Sequence, residues 1–207
     1  MQGMKTEGFA SVAAVVSEED HLRAQFYWLI ARLLLAPPDE KTLTEAAGFG
    51  SDDTEIGRAL GHLAHCARET SPSAVADEYH QLFIGVPRGE LIPYASYYLT
   101  GFLNEKPLAR LRQDMARLGI AKAETVFEPE DHIGTLFEIM AGLITGEFSA
   151  PADLSRQHAF FHAHIEPWAA RFFGELEAAS AARFYVPVGR LGRQFVGIET
   201  LGFDIGV

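Results

Sequence analysis

Ile133-Gly134-Thr135-Leu136-Phe137-Glu138-Ile139-Met140-Ala141-Gly142-Leu143-Ile144 is the stretch that decides the fold. Ile133, Leu136, Phe137, Met140, Leu143 and Ile144 recur at three- and four-residue spacing, which is the period of one helix face. A helix from about Pro129 to Glu147 follows. Working outward, the same period governs the rest of the chain. Towards the N-terminus, Leu22, Phe26, Leu29, Ile30 and Leu33 form a stripe that opens at Ser17 and stops at Pro37-Pro38. A weaker helix runs from about Glu40 to Ala47 and ends at Gly48. The loop 49–54 leads to a helix reaching Arg68, capped by Asp53 or Thr54. Ser71-Pro72 places a cap residue and a first-turn proline in register for a helix carrying Val75, Tyr79, Leu82 and Phe83.

Gly85 to Pro93 breaks every period and reads as a loop. Helices resume over 96–103 and 107–118, the latter closed by Gly119. Residues 120–127 connect to the central stretch. Beyond it, 149–153 is a turn, and helices fill 154–179 and 182–200, with Pro167 and Pro187 as kinks or breaks. No strand alternation and no internal repeat emerges. The expectation is an all-α, single compact bundle of roughly eight to ten helices spanning 1–207, with 1–16 as a flexible N-terminus.

Composition narrows the function. With 48% hydrophobic and 22% charged residues, the chain has the make-up of an ordinary globule. A formal net charge of −11 argues against a nucleic-acid partner, because phosphate neutralisation needs a Lys/Arg face. It suits solubility or a basic partner. The single cysteine, Cys66, excludes an internal disulfide and fits a reducing compartment. Ser11 to Val16 is too short an apolar run for a signal-peptide core, and no stretch approaches the roughly 18 apolar residues of a membrane span. The expected location is cytoplasmic, without stable membrane insertion.

Signatures of catalysis are missing: no phosphate loop ending in Lys-Ser/Thr, no G-x-S-x-G elbow and no HExxH. His158 and His162 stand four apart, but no carboxylate joins them at ligand spacing, and His164 lies off their face. His62 and His65 have only Cys66 beside them. No metal or other cofactor is expected. Phe160, Phe161, Trp168, Phe172 and Phe173 read as core.

Two stretches stand out. In Glu128-Pro129-Glu130-Asp131-His132, the proline and carboxylates suit a helix start, with Asp131 reaching back to a free N–H. His132 is left over. A functional reading makes Asp131 and His132 the polar rim of an apolar groove, offering hydrogen bonds to a bound chain. In Leu91-Ile92-Pro93-Tyr94-Ala95-Ser96-Tyr97-Tyr98-Leu99, three tyrosines beside a turn suit either a recognition surface or a core-packing helix entry capped by Ser96.

Together with Glu78-Tyr79-His80-Gln81-Leu82-Phe83-Ile84-Gly85 and Phe160-Phe161-His162-Ala163-His164-Ile165-Glu166-Pro167-Trp168, followed by Phe184-Tyr185, these motifs resemble the TorD/DmsD family of molybdoenzyme-specific chaperones. The resemblance runs in order from about residue 20 to 200, and Glu-Pro-x-Asp-His is its most specific element. It implies an all-α protein that is not an enzyme. It also implies binding of the twin-arginine signal peptide, and possibly the mature domain, of a molybdopterin oxidoreductase subunit. The client is held in the cytoplasm until its cofactor is inserted. The peptide-binding positions carried over are Pro93, Tyr94, Ser96, Tyr98, Glu128, Pro129, Asp131 and His132. Ala95 departs from the acidic or small polar residue common before the serine, which bears on client identity.

A branch of the family serves subunits that are not exported. Other classes stay open: a nucleotide-using or hydrolytic enzyme with Asp131 and His132 as acid–base groups, or a structural subunit whose acidic face docks a basic partner. The chain is expected as a monomer or homodimer.

Overall fold

The computed structural model describes residues 16–122 and 128–206. Most of the expected N-terminal segment 1–16, and 123–127 of the connection before the central helix, lie outside these. Among the described residues the fold is all-α: α1 (Glu18–Leu35), α2 (Glu40–Ala47), α3 (Glu55–Arg68), α4 (Pro72–Tyr79), α5 (Ala95–Thr100), α6 (Lys106–Arg117), α7 (Ile133–Thr145), α8 (Leu154–His164), α9 (Ala169–Ala178) and α10 (Tyr185–Gly206). A π-helical turn, His80–Ile84, prolongs α4.

Five helices start on their own Ser, Thr or Asp caps. Ser17 Oγ accepts from the Asp20 N–H at 3.0 Å, Asp39 Oδ1 from Thr42 at 2.8 Å, Thr54 Oγ1 from Gly57 at 2.9 Å, Ser71 Oγ from Ala74 at 3.3 Å and Asp153 Oδ1 from Arg156 at 2.8 Å. Each satisfies one of the N–H groups that a first turn leaves without an intrahelical partner.

α7 is the central helix, buried on nearly every side from Ile133 to Ile144. α1 packs along it, α9 lies against α10, and α10 and α2 each pack on α3. One hydrophobic cluster joins residues from all these elements, with Tyr27, Phe137 and Phe195 meeting edge to face at 4.7–6.5 Å. Gly134 allows the α1–α7 approach, since a Cβ there would stand 2.6 Å from Leu35 Cγ.

The buried face of α1 differs from the expected stripe. Ala24, Tyr27, Ile30, Ala31, Leu33 and Leu34 are buried, whereas Leu22 is 53% exposed and Phe26 and Leu29 are half-buried. The two alanines carry little weight as apolar residues, yet their small size lets α1 settle closely on its neighbours. Helix ends shift as well. α5 is shorter than expected and stops at Gly101, where φ is +83°. Pro129 precedes α7 by a full turn rather than opening it. Pro167 separates α8 from α9. Pro187 neither breaks nor precedes α10, because it falls in the first turn, where a missing N–H costs nothing.

Candidate peptide-binding site

The two distinctive sequence stretches meet. Tyr94 and His132 form an isolated antiparallel bridge. The Ile133 N–H donates to the Pro93 carbonyl at 2.9 Å, and the Ala95 N–H to the Asp131 carbonyl at 3.0 Å. This short two-stranded wall leads into α5 on one side and α7 on the other.

Extended chain alternates its side chains, and the wall has two different faces. On one, the Tyr94 and His132 rings stand edge to face with centroids 5.2 Å apart. His132 is 5% exposed, and its Nδ1 accepts from the Gly134 N–H at 3.1 Å, so it caps α7. That bond fixes the neutral tautomer with its proton on Nε2. Burial pushes His132 down to about 4.

This face borders a cleft of about 810 Å³. Its apolar floor comes from Trp28 and Leu35 of α1, Tyr79 and Phe83, Met115 of α6 and Ile139 of α7. Among the described residues four carboxylates stand around it: Glu128, Glu130, Glu138 and Glu147. Glu130 is held by Arg112, whose Nε and Nη2 donate at 3.1 and 2.8 Å. Among the described residues no cation pairs with the other three. Burial raises the pKa of Glu128, and burial together with the neighbouring Glu147 raises that of Glu138. Among the described residues one Lys or Arg lines the cleft, Lys122, and its Nζ donates to the Glu128 carbonyl at 2.6 Å. The cleft therefore joins a large apolar floor to a negative rim.

On the opposite face, Asp131 and Ala95 border a separate cavity of about 370 Å³ with Leu111, Leu136 and His164. Asp131 is 1% exposed, and its Oδ2 accepts from the Ser96 N–H at 2.8 Å. It thus caps α5 from 35 residues away, where Ser96, buried inside the helix, provides no cap. Asp131 Oδ1 and Ser96 Oγ are buried without a hydrogen-bond partner among the described residues.

Of the residues singled out from sequence, Pro93, Tyr94, Glu128 and His132 line the cleft. Pro129 sits in the turn that leads to His132, its carbonyl accepting from the His132 N–H at 3.3 Å. Ser96 and Asp131 face away. Tyr98 is elsewhere: its hydroxyl donates to Glu175 Oε2 at 2.6 Å, and its ring packs on Trp168 at 5.1 Å beneath the Arg171 guanidinium. Burial and the Glu175 bond push the Tyr98 hydroxyl well up. Sequence reasoning missed Trp28, Phe83, Glu138 and Glu147. Glu138 carried a signal, as the lone charge in the apolar run of α7.

The acid–base reading of Asp131 and His132 meets an obstacle in this geometry, because the two side chains face different cavities. His164 is 5% exposed and paired through Nε2 with Asp114 at 3.0 Å. Among the described residues no three His, Cys, Asp or Glu side chains converge as metal ligands, and no helix is long and apolar enough to cross a membrane.

The model of the nitrate reductase delta subunit family matches residues 50–174. Among similar curated proteins, the chaperone protein TorD of Vibrio cholerae is 26% identical over 194 residues, 84% of this chain and 88% of that protein. TorD of Photobacterium profundum is 28% identical over 186 residues (79% and 85%) and TorD of Aeromonas salmonicida 27% over 198 (86% and 89%). A solved structure described as a redox enzyme maturation protein, from Archaeoglobus fulgidus, shares the fold, with a TM-score of 0.54 at 20% identity over 95% of this chain and 99% of that one. The chain belongs to the nitrate reductase delta subunit family, in its TorD/DmsD type, and is a chaperone rather than an enzyme.

Proposed function

We propose that this chaperone binds the twin-arginine signal peptide of a molybdopterin oxidoreductase subunit in the cleft beside Tyr94 and His132, as one domain acting in the cytoplasm, and delays export until the cofactor is inserted. The observation that carries this reading is the cleft's pairing of an apolar floor with three carboxylates, Glu128, Glu138 and Glu147, with which no cation pairs among the described residues. A twin-arginine leader has the complementary order, a basic segment followed by an apolar one. The carboxylates attract the first, and Trp28, Phe83 and Ile139 bury the second as a helix laid in a groove. The His132 Nε2–H and the Tyr94 ring stand at the border, with Pro93 and Glu128 beside them.

Burial of apolar surface at about 25 cal/mol per Å², less the cost of ordering the peptide, supports affinity near the micromolar range. Such a complex still releases its client.

The test is calorimetric titration with leaders of molybdoenzymes from the same genome at two salt concentrations. Saturable binding to one leader is expected. It should weaken with salt, vanish when the apolar segment is made polar, and fall about tenfold in His132→Ala, the size of one lost hydrogen bond. Absence of binding to every leader would redirect the assignment to a client recognised through its folded domain, or to a subunit that is not exported.

A further inference from the structure

The resemblance treats the aspartate and histidine of Glu-Pro-x-Asp-His as two contacts to one peptide. The two-faced wall separates them. We infer that Asp131 is a positioning residue: it touches no peptide, and acts by fixing the start of α5 and thereby the Tyr94–His132 face of the cleft.

Three observations carry this. Asp131 is 1% exposed and borders the rear cavity and not the cleft, so a peptide lying against His132 has the wall between itself and that carboxylate. Its Oδ2 holds the Ser96 N–H at 2.8 Å, and its carbonyl holds the Ala95 N–H at 3.0 Å. Two consecutive amides at the mouth of α5 thus hang on one residue, directly after Tyr94 in the bridge. Finally, α5 has no cap of its own at Tyr94, so removing the carboxylate leaves a buried N–H without a partner.

Asp131 Oδ1 and Ser96 Oγ have no hydrogen-bond partner among the described residues, so the one side-chain bond that fixes the start of α5 is the neutral N–H contact at Oδ2. A carboxamide supplies what the geometry uses. In Asp131→Asn the amide oxygen accepts from the Ser96 N–H in the place of Oδ2. Positioning therefore requires an acceptor at this place and no negative charge, whereas direct contact with a basic peptide requires the charge.

This inference rests on the leader-binding reading, and the experiment separates the two. Asp131→Asn and Asp131→Ala are compared with wild type by leader titration at low and high salt, and by NMR titration of the His132 ring in the free protein. Thermal unfolding sets a temperature at which every variant is folded.

The expected result is that the asparagine variant keeps affinity within about threefold and the wild-type salt dependence, while the alanine variant loses on the order of tenfold or more, the cost of a stranded buried donor. The His132 ring titrates near its wild-type pH in the former. In the latter it moves up towards about 6.5, the value of an unburied imidazole, as the wall loosens. If both variants weaken alike with a shallower salt dependence, Asp131 contacts the peptide through its charge and the inference falls. It falls also if both bind as wild type with His132 unmoved. Should wild type bind no leader, the functional reading fails by itself, and the His132 titration still decides whether Asp131 holds the wall.

Discussion

Two buried carboxylates, Glu199 and Asp131, are held in opposite ways. Glu199, 4% exposed on α10, takes Arg23 Nε at 2.9 Å, Arg23 Nη2 at 2.8 Å and the Tyr27 hydroxyl at 2.8 Å. The same guanidinium reaches Asp20 and Gln157, so α1, α8 and α10 share one network. The two glutamate oxygens together accept three donors. Among the described residues Asp131 takes one side-chain bond and keeps an oxygen without a partner. A buried polar network is worth most when complete and costs most when it is not. The complete one joins α1, α8 and α10 and pins helices. The incomplete one lies directly behind the cleft, where strict satisfaction has been given up to set the shape of a wall.

The comparison breaks most readily at Glu199. Removing one partner of a buried ion pair strands the other, so Glu199→Ala should lower the unfolding free energy by about 3 kcal/mol, measured by urea denaturation. Leader affinity should hold wherever the protein is folded. A loss below about 1 kcal/mol would place the network among pairs that break even against solvation.

Next in size is the pH dependence beside Asp131. His132 has a folded value of about 4 against 6.5 for an ordinary imidazole. Between these the unfolded chain binds a proton that the folded chain refuses, so stability rises with pH across the window and is flat above it. Acidification from about pH 6.5 to 4 should therefore remove up to about 3 kcal/mol. The slope should flatten in His132→Gln by denaturant melts at stepped pH, leaving the shares of His164 and His62, which burial also lowers, and of the carboxylates with shifted values. An unchanged slope would mean that the wall already opens in the native state.

Smallest is Tyr98→Phe, which removes the 2.6 Å bond to Glu175 outside the cleft. It should cost about 1 kcal/mol in thermal unfolding and leave leader binding alone. A fall in affinity would extend the site around α5 and blur the division between the two faces.

Much of the fold was legible. The stripe of α7, the end of α2 at Gly48 and the caps Ser17, Thr54 and Ser71 all lie within a few residues of what they control. The α1 face was misjudged because Ala24 and Ala31 matter through their size, which periodicity ignores. Half of the candidate site was legible as motif, but not which way its residues face. Tyr98 stands one helical turn from Tyr94, yet it packs on α9, and nothing in the spacing says so.

What the sequence determined by itself is therefore the local half: helix identity, most caps and turns, and the acidic, apolar-rich character of the chain. These depend on neighbours within about one turn. Only the tertiary structure decided the remote caps. Glu78 Oε1 and Oε2 accept from the Arg183, Phe184 and Tyr185 N–H groups at 2.8–3.0 Å and start α10 from more than 100 residues away, as Asp131 starts α5. A helix start without a local acceptor must find one elsewhere, because a buried N–H left alone costs about as much as a lost hydrogen bond. Which carboxylate answers is settled by packing, and that choice turned one Asp-His pair into a wall with two faces.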